Sequence, residues 1–375
     1  MNGYQVRDAG PTAAVDMHTA APSPAAQTVD RAAGSAAPQP TSPSQTATPS
    51  SMPRRPSSAT PTANSPTPTA TPAARPTAPP SQPPPSTALE RLQTALDGGG
   101  GKLFGISPDG NSQGIPSVPQ LAAQLGHAID IVNIFVGWGE PLPIASMQAI
   151  TAQGSIPELT LEPWNYTQGV SQPNMADSVI AGGAYDAYIT QFATAAAAWG
   201  SPFLLRYAHE MNGNWYPWAA STNGNTAALY VVAWRHVHDL FVQAGASNLL
   251  WVWCPNAGGP TPVADVFPGA AYVNVVGLDG YNRATTPSAW QTPSQVLSGL
   301  LQTVTALAPG IPMIINETGT GEQGGDKVAW LSQLFSFVEA QPALIGVVYS
   351  EFGSSWPLTT SPAALAAAAQ ALKGF

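Results

Sequence analysis

"LLRYAHEMNGNWYPW" (Leu204–Trp218) opens as an apolar run and ends as a loop of aromatic and amide side chains. By the two-residue period of a strand, Leu204, Arg206, Ala208 and Glu210 share one face. His209 and Glu210 then stand where the apolar run stops. A charged pair at the carboxyl end of a buried strand is how a barrel of parallel strands delivers reacting groups to its mouth.

The same pattern recurs on both sides of this stretch. Apolar runs ending in polar residues or Gly/Pro are "LFGIS" (103–107), "IVNIFVGW" (131–138), "IPELTLEP" (156–163) and "FLLRYAHE" (203–210), then "LLWVWCPN" (249–256), "VNVVGLDGY" (273–281), "PMIINETG" (312–319) and "LIGVVYSEF" (344–352). Between them lie segments with apolar residues at i, i+3 and i+4, such as "TAALYVVAWRHVHDLFVQAG" and "DKVAWLSQLFSFVEAQ", which predict helices. Several close on Gly, the usual residue after a helix end. The link over 257–272 is short, with a weak helix at best. "ALERLQTALDGGGG" (88–101) predicts an amphipathic helix leading in. The alternation predicts an α/β fold, a (β/α)8 TIM barrel. An open doubly wound sheet is the rival, but "GISPDGNSQG" after the first run lacks its G-x-G-x-x-G turn.

The 375-residue chain has unlike halves. Residues 1–87 are rich in Ala, Pro, Ser and Thr, with Tyr4 their one aromatic. Such a segment cannot bury enough apolar surface to offset chain entropy and is expected to be a disordered linker or stalk. Residues 88–375, which hold all 11 tryptophans, are expected to form the one large folded domain, the barrel. The net charge is −9, and residues 101–375 carry 6 Lys plus Arg against 16 Asp plus Glu. Nucleic acid is thereby disfavoured as a partner. With 9% charged residues and abundant Trp, Asn, Gln, Ser and Thr, the composition suits a neutral polar ligand read by stacking and hydrogen bonds. Cys254 is the single cysteine, so no internal disulfide can form. No segment reaches the roughly 18 apolar residues of a membrane helix. The N-terminal "MNGYQVRDAGPTAAVD" lacks the apolar core of a secretory signal. A Pro/Thr/Ser-rich stalk is nonetheless commoner on exported proteins, so an extracellular or cell-wall location is expected, and a monomer.

Reading the strand ends as a mouth brings together Ser107, Asp109, Trp138, Glu140, Glu162, Trp164, His209, Glu210, Asn256, Asp279, Tyr281, Glu317, Tyr349 and Glu351. Met313, Ile315 and Glu317 share a face by the strand period. If the first two fill the barrel, Glu317 emerges at the top across from Glu210. Two facing carboxyls suit glycosidic bond cleavage, one protonated to release the leaving oxygen and one ionised to attack. Arg206 is the candidate buried partner of either glutamate. Asn212, Asn214, Trp215, Tyr216 and Trp218 come directly after Glu210, and aromatic faces and amides are what a sugar ring requires. "HEMNG" is not H-E-x-x-H, since position 213 is Gly, so zinc hydrolysis is unsupported. "GTGEQGGDK" has no following Gly-Lys-Ser/Thr, and G-x-S-x-G is absent. Neither metal nor cofactor is expected.

"RYAHEMNGNWYPW", "VVGLDGYN" and "MIINETG" closely resemble the fourth, sixth and seventh strand segments of glycoside hydrolase family 26. That family belongs to a clan of (β/α)8 retaining glycosidases. The resemblance covers 101–375 and implies that Glu210 is the acid/base and Glu317 the nucleophile. It implies that His209, where most clan members have Asn, orients the sugar or nucleophile, and that Tyr281 hydrogen-bonds Glu317 and helps keep it ionised. Trp215 and Trp356 are implied subsite walls, and Asn212, Trp218, Glu162 and Trp164 further substrate-binding candidates. Most characterised members cleave β-1,4-mannan, so an endo-acting retaining mannanase is expected. "PELTLEPWNY" departs from the third strand of many mannanases, which keeps a β-glucanase or exopolysaccharide-processing glycosidase as an alternative. An inactive carbohydrate-binding barrel and a structural cell-wall protein are the readings outside that class. The second leaves the strand-end carboxylates unexplained.

Overall fold

The computed structural model describes residues 87–353 and 356–375. The stalk expected over 1–87 lies, but for Thr87, outside the described residues. Eight parallel strands close into a barrel in chain order. They are β1 (Leu103–Ser107), β2 (Ile131–Gly137), β3 (Ile156–Glu162), β4 (Phe203–Tyr207), β5 (Leu249–Trp253), β6 (Val275–Asp279), β7 (Met313–Thr318) and β8 (Leu344–Ser350). This is the (β/α)8 barrel expected from the alternation. The helices are α1 (Ala88–Leu96), α2 (Val118–Leu125), α3 (Ile144–Ala152), α4 (Asp177–Ala181), α5 (Asp186–Trp199), α6 (Ala227–Gln243), α7 (Pro293–Leu307), α8 (Lys327–Glu339) and α9 (Pro362–Ala371). Between β5 and β6 only short 3-10 turns occur, Val263–Val266 and Ala270–Tyr272. No helix of the described residues is long and apolar enough to cross a membrane.

Local sequence sets the helix ends. Thr87 and Glu90 form a capping box at α1, as do Thr292 and Gln295 at α7, where Pro293 takes the first helical position. Each box satisfies two backbone N–H groups that the first turn leaves without partners. Apolar residues then divide into two clusters. The larger packs the outer strand faces against the helices and includes Ile134, Leu159, Leu205, Val276 and Ile315. The smaller fills the lower barrel interior with Leu103, Ile131, Ile156, Leu204, Val252, Val275 and Ile314.

Above that apolar floor the interior is polar. Asn133, Glu158, Thr160, Arg206, Asp279 and Asn316 are each no more than 1% exposed. Bulky branched residues usually fill this space in such barrels. Buried polar groups persist only where they are bonded, and a connected chain of side chains runs across the strands. Asn133 donates to Ser107 at 2.9 Å and accepts from Thr160 at 2.7 Å, and Arg206 donates to Thr160 at 2.9 Å. The core therefore ends in the network that carries the site.

The strand period fails at two places. Met313 and Ile315 belong to the outer, helix-facing cluster, while Ile314 joins the interior cluster and Asn316 bonds Glu158 at 2.5 Å. The expectation that Met313 and Ile315 fill the barrel is thus corrected. A register shift pairs Asp279 with Glu317 after Leu278 with Ile315. One extra residue in β7 reverses the facing of the residues beyond it, and so brings Glu317 to the mouth. In the fourth run the strand stops at Tyr207, and Ala208 and Glu210 take positive φ, 45° and 52°. Ala208 packs in the outer cluster rather than on the face of Leu204 and Arg206.

Candidate active site

Glu210 is aimed by backbone rather than by strand alternation. Its left-handed φ is uncommon for a side chain of this size, and its amide is fixed by a 2.8 Å bond to Cys254 O. The indole of Trp215 donates to Glu210 Oε2 at 2.5 Å, and Asn256 Nδ2 donates to Oε1. Gly213 makes this possible. A Cβ there would lie 2.5 Å from the Trp215 ring, so only glycine lets the indole fold back. Asn212 holds the opposite side. It donates to Asn256 O at 2.9 Å and accepts from Asn256 N at 2.8 Å. The "HEMNGNW" block is therefore a device for gripping one carboxyl. Burial raises Glu210 to a pKa of about 7, and the charge of Glu317 adds to the rise against the Asn256 and Trp215 hydrogen bonds.

Glu317 sits on the opposing wall among donors. The Arg206 guanidinium contacts Oε1, and the Tyr281 hydroxyl donates to Oε2 at 2.6 Å. Tyr281 is itself fixed by Ser350 Oγ at 2.7 Å. Burial, and then the charge of Glu317, push the Tyr281 phenol well above its ordinary range, so it remains a donor. Arg206 also makes a two-point contact with Asp279 at 2.9 and 3.1 Å. Burial opposes its charge, but Asp279 and Glu317 outweigh that and hold it protonated. Cys254 donates its thiol to Asp279 at 3.0 Å, so the single cysteine is a buried member of this network.

His209 is fully buried against Tyr216, Trp218 and Phe135, with ring centroids at 4.9, 5.9 and 6.0 Å. Its Nε2 lies 3.7 Å from Glu317 Oε1, and neither ring nitrogen has a hydrogen-bond partner among the described residues. Burial, then the charge of Arg206, hold its pKa well below the usual range, so the ring is neutral. His209, Asp279 and Glu317 bring donor atoms within 4.8 Å of one another. Arg206 already bonds both carboxylates, so a divalent cation would face a fixed positive charge at the same oxygens.

On the β3 side, Glu162 is 8% exposed and accepts from Trp164 Nε1 at 3.2 Å. Burial, with the charges of Glu317 and Glu210 added against the Trp164 bond, raises it to about 8. Trp356 stands 4.5 Å from the Tyr281 ring, and its carbonyl is pinned by Tyr349 and by the buried Lys327 ammonium, each at 2.9 Å. Glu351 does not reach the mouth as a free group, since it accepts from Leu358 N at 3.0 Å.

Two expected substrate contacts are corrected. Trp218 is 0% exposed, stacks on Tyr216 at 4.2 Å and donates to His209 O at 2.6 Å. It braces His209 instead of offering a face to sugar. The side chain of Asn212 is consumed by the loop that carries Asn256. The sequence reading missed Arg283, whose guanidinium lies over the Tyr281 and Trp356 rings at 4.6 and 5.1 Å. Its position two residues past the Tyr281 strand end was the available signal.

Known proteins carry the same arrangement of strands and segments. Residues 171–341 match the sequence model of glycosyl hydrolase family 26. Endoglucanase H of Acetivibrio thermocellus is 36% identical over 262 residues, which is 66% of this chain and 28% of that protein. The chain belongs to glycosyl hydrolase family 26. The mannan endo-1,4-beta-mannosidase of Bacillus subtilis (strain 168) is 34% identical over 87 residues, 22% of this chain and 24% of that relative. The chain thus spans less than a third of the length of either curated relative. Among solved structures, Bacillus subtilis mannanase man26 superposes with a TM-score of 0.56 at 20% identity, covering 75% of this chain and 88% of that one. A Cellulomonas fimi endo-beta-1,4-mannanase double mutant gives 0.58 at 18% identity, covering 76% and 74%. These two share the fold.

Proposed function

We propose that this family 26 chain is an endo-acting, retaining β-glycoside hydrolase that cleaves a neutral polysaccharide by double displacement. The observation that carries this reading is the contrast between two glutamates in one mouth. Glu210 holds a proton up to a pKa of about 7, while Glu317 is bonded by Arg206 and Tyr281.

In this reading Glu317 attacks the anomeric carbon as the C–O bond to the leaving sugar breaks. Glu210 gives its proton to the departing oxygen. Esterification of Glu317 removes the charge that helps keep Glu210 protonated, so Glu210 becomes the better base for the second step. It then takes a proton from water as the water oxygen attacks the anomeric carbon and frees Glu317. Tyr281 and Arg206 hold the attacking carboxylate in place, which is the positioning such a step needs.

The substrate read first is β-1,4-mannan, in line with the curated and structural relatives named as mannanases. One observation favours a second reading. A relative that is 36% identical over 262 residues is named an endoglucanase, and the β3 pair Glu162 and Trp164 lies beside the cleavage site. Mannan, mixed-linkage β-glucan, β-1,3-glucan and xylan, each assayed for released oligosaccharides, separate the two. Wild-type protein is expected to release oligosaccharides from one β-1,4-linked polymer. Glu317→Ala is expected to lose at least about 10³-fold in rate. Unchanged hydrolysis by that variant would remove the mechanism.

A further inference from the structure

Backbone strain gathers at one point of the barrel. Among the described residues, four other than glycine take a positive φ: Asn111, Ala208, Glu210 and Asn223. After glycine, asparagine tolerates this region best. Ala208 and Glu210 lack that tolerance, and they flank His209 in the turn that aims the acid/base glutamate. Such conformations persist only where surrounding contacts over-determine them, and they cluster at functional sites. The contacts that hold this turn therefore bear on the chemistry.

Two of them are made by backbone amides. Ala208 N donates to Leu161 O on β3 at 3.0 Å, and Glu210 N donates to Cys254 O just past β5 at 2.8 Å. These bonds tie the chain sideways to its neighbours. The carbonyls turn elsewhere. His209 O accepts from the Trp218 indole, and Ala208 O accepts from the Tyr230 hydroxyl at 3.2 Å. Tyr230 is supplied by α6 and belongs to the outer, helix-facing cluster, away from the mouth. It is 1% exposed, and its ring lies 6.2 Å from that of Trp234. The start of its helix is capped by Thr226, whose side chain accepts from Leu229 N at 3.2 Å. Burial pushes the Tyr230 phenol well above its ordinary range, so it remains a donor. A buried carbonyl deprived of its donor is costly, which favours rotation of its peptide plane toward another partner. The plane between Ala208 and His209 lies one residue before Glu210. Its rotation swings the Glu210 carboxyl away from Trp215 and Asn256, which grip it.

We infer that Tyr230 is a positioning residue for the proton transfer: from behind β4 its hydroxyl fixes the Ala208–His209 peptide, and so the aim of Glu210 at the leaving oxygen. The inference rests on the function proposed above and deepens it. Because Tyr230 stands outside the mouth, its loss acts on the step that needs a proton and spares the attack by Glu317.

The test compares two substrates built on one glycan, an oligosaccharide from the polymer that the substrate screen selects and the matching dinitrophenyl glycoside. The first needs a proton on its leaving oxygen, while dinitrophenolate departs without one. In Tyr230→Phe, kcat/KM on the oligosaccharide is expected to fall roughly 10–100-fold through kcat, with KM within about twofold. On the dinitrophenyl glycoside it is expected to stay within about threefold of wild type. Thr226→Ala weakens the same helix without touching the hydroxyl. It is expected to lower the urea midpoint and to treat both substrates alike. Equal losses on both substrates in Tyr230→Phe, or no loss on either, overturn the inference and leave the proposed activity standing. Ala208→Gly supplies a second background in case the single variant is too unstable to assay, because glycine takes a φ of 45° without strain. Adding Tyr230→Phe there is expected to give the same split between substrates, and its absence contradicts the inference. Glu210→Ala separates the two readings. It is expected to show a larger split than Tyr230→Phe, and equal losses in Glu210→Ala would bring down the proposed mechanism itself. If wild-type protein cleaves neither substrate, it is the proposed function that fails.

Discussion

Two walls of one barrel treat their carboxyl groups in opposite ways. On β6 and β7, Asp279 and Glu317 share the buried Arg206 guanidinium, and each is bonded again, by Cys254 and by Tyr281. On β3, Glu158 and Glu162 are equally buried but have no cation at contact. Glu158 takes one bond from Asn316 and leaves Oε2 without a partner among the described residues. Burial raises Glu158 to about 7 and Glu162 to about 8. Burial pushes the Asp279 carboxyl well above its usual range too, with Arg206 opposing the rise, so what separates the two walls is the set of partners each carboxyl is given.

Removing that guanidinium breaks the contrast at its root. Arg206→Met leaves two carboxylates buried without their cation and is expected to cost about 3–5 kcal/mol of folding stability. Urea unfolding at neutral pH measures this, and a second substitution, Asp279→Asn, should restore part of the loss. Single loss of the Tyr281 hydroxyl is smaller. Tyr281→Phe removes one hydrogen bond to a charged group, worth about 1.5–3 kcal/mol, so kcat should fall roughly 10–100-fold with little change in KM.

The β3 wall should respond to pH instead. Glu158 has a folded pKa of about 7 against a reference value of 4.5. Between those values the folded state keeps a proton that the unfolded chain releases, so its contribution to stability falls as pH rises through that window. Glu158→Gln abolishes this dependence. Wild type should lose about 2–3 kcal/mol more than the variant between pH ~4 and pH ~8, read from paired urea titrations. The smallest effect is expected at Glu162. Glutamine copies its protonated form, so Glu162→Gln should keep activity within about threefold at neutral pH, and a large loss would show that its charge is used. For the whole enzyme, kcat/KM should decline above pH ~7 as Glu210 loses the proton it must donate. A profile flat to pH ~9 would contradict that role.

Much of this was legible from strand and helix rhythm. Every apolar run became a barrel strand because a strand buried on both faces must be apolar nearly throughout, and helix-period segments separate all but the fifth and sixth runs. The ends were less legible. Alternation carried past Tyr207 placed Glu210 correctly for the wrong reason, since Ala208 and Glu210 leave the strand with positive φ. In β7 the alternation chose the wrong face for Met313 and Ile315, because a register shift depends on the neighbouring strands and has no local signature. Arg206 was visible as a lone charge in an apolar run. Its partners lie 73 and 111 residues away, so the sequence showed that it needs a partner without fixing which. Trp218 looked like a platform because loop tryptophans after a glutamate suit sugars, yet the loop folds back and spends that ring on His209.

The central claim is that Glu317 attacks the sugar and Glu210 handles the proton. A 2-deoxy-2-fluoro glycoside with a good leaving group, matched to the polymer found in the substrate screen, slows the second step more than it helps the first. Protease digestion and mass spectrometry of the treated protein should find the sugar ester-linked to Glu317. A label on Glu210, or no label together with products of inverted configuration, would contradict the account.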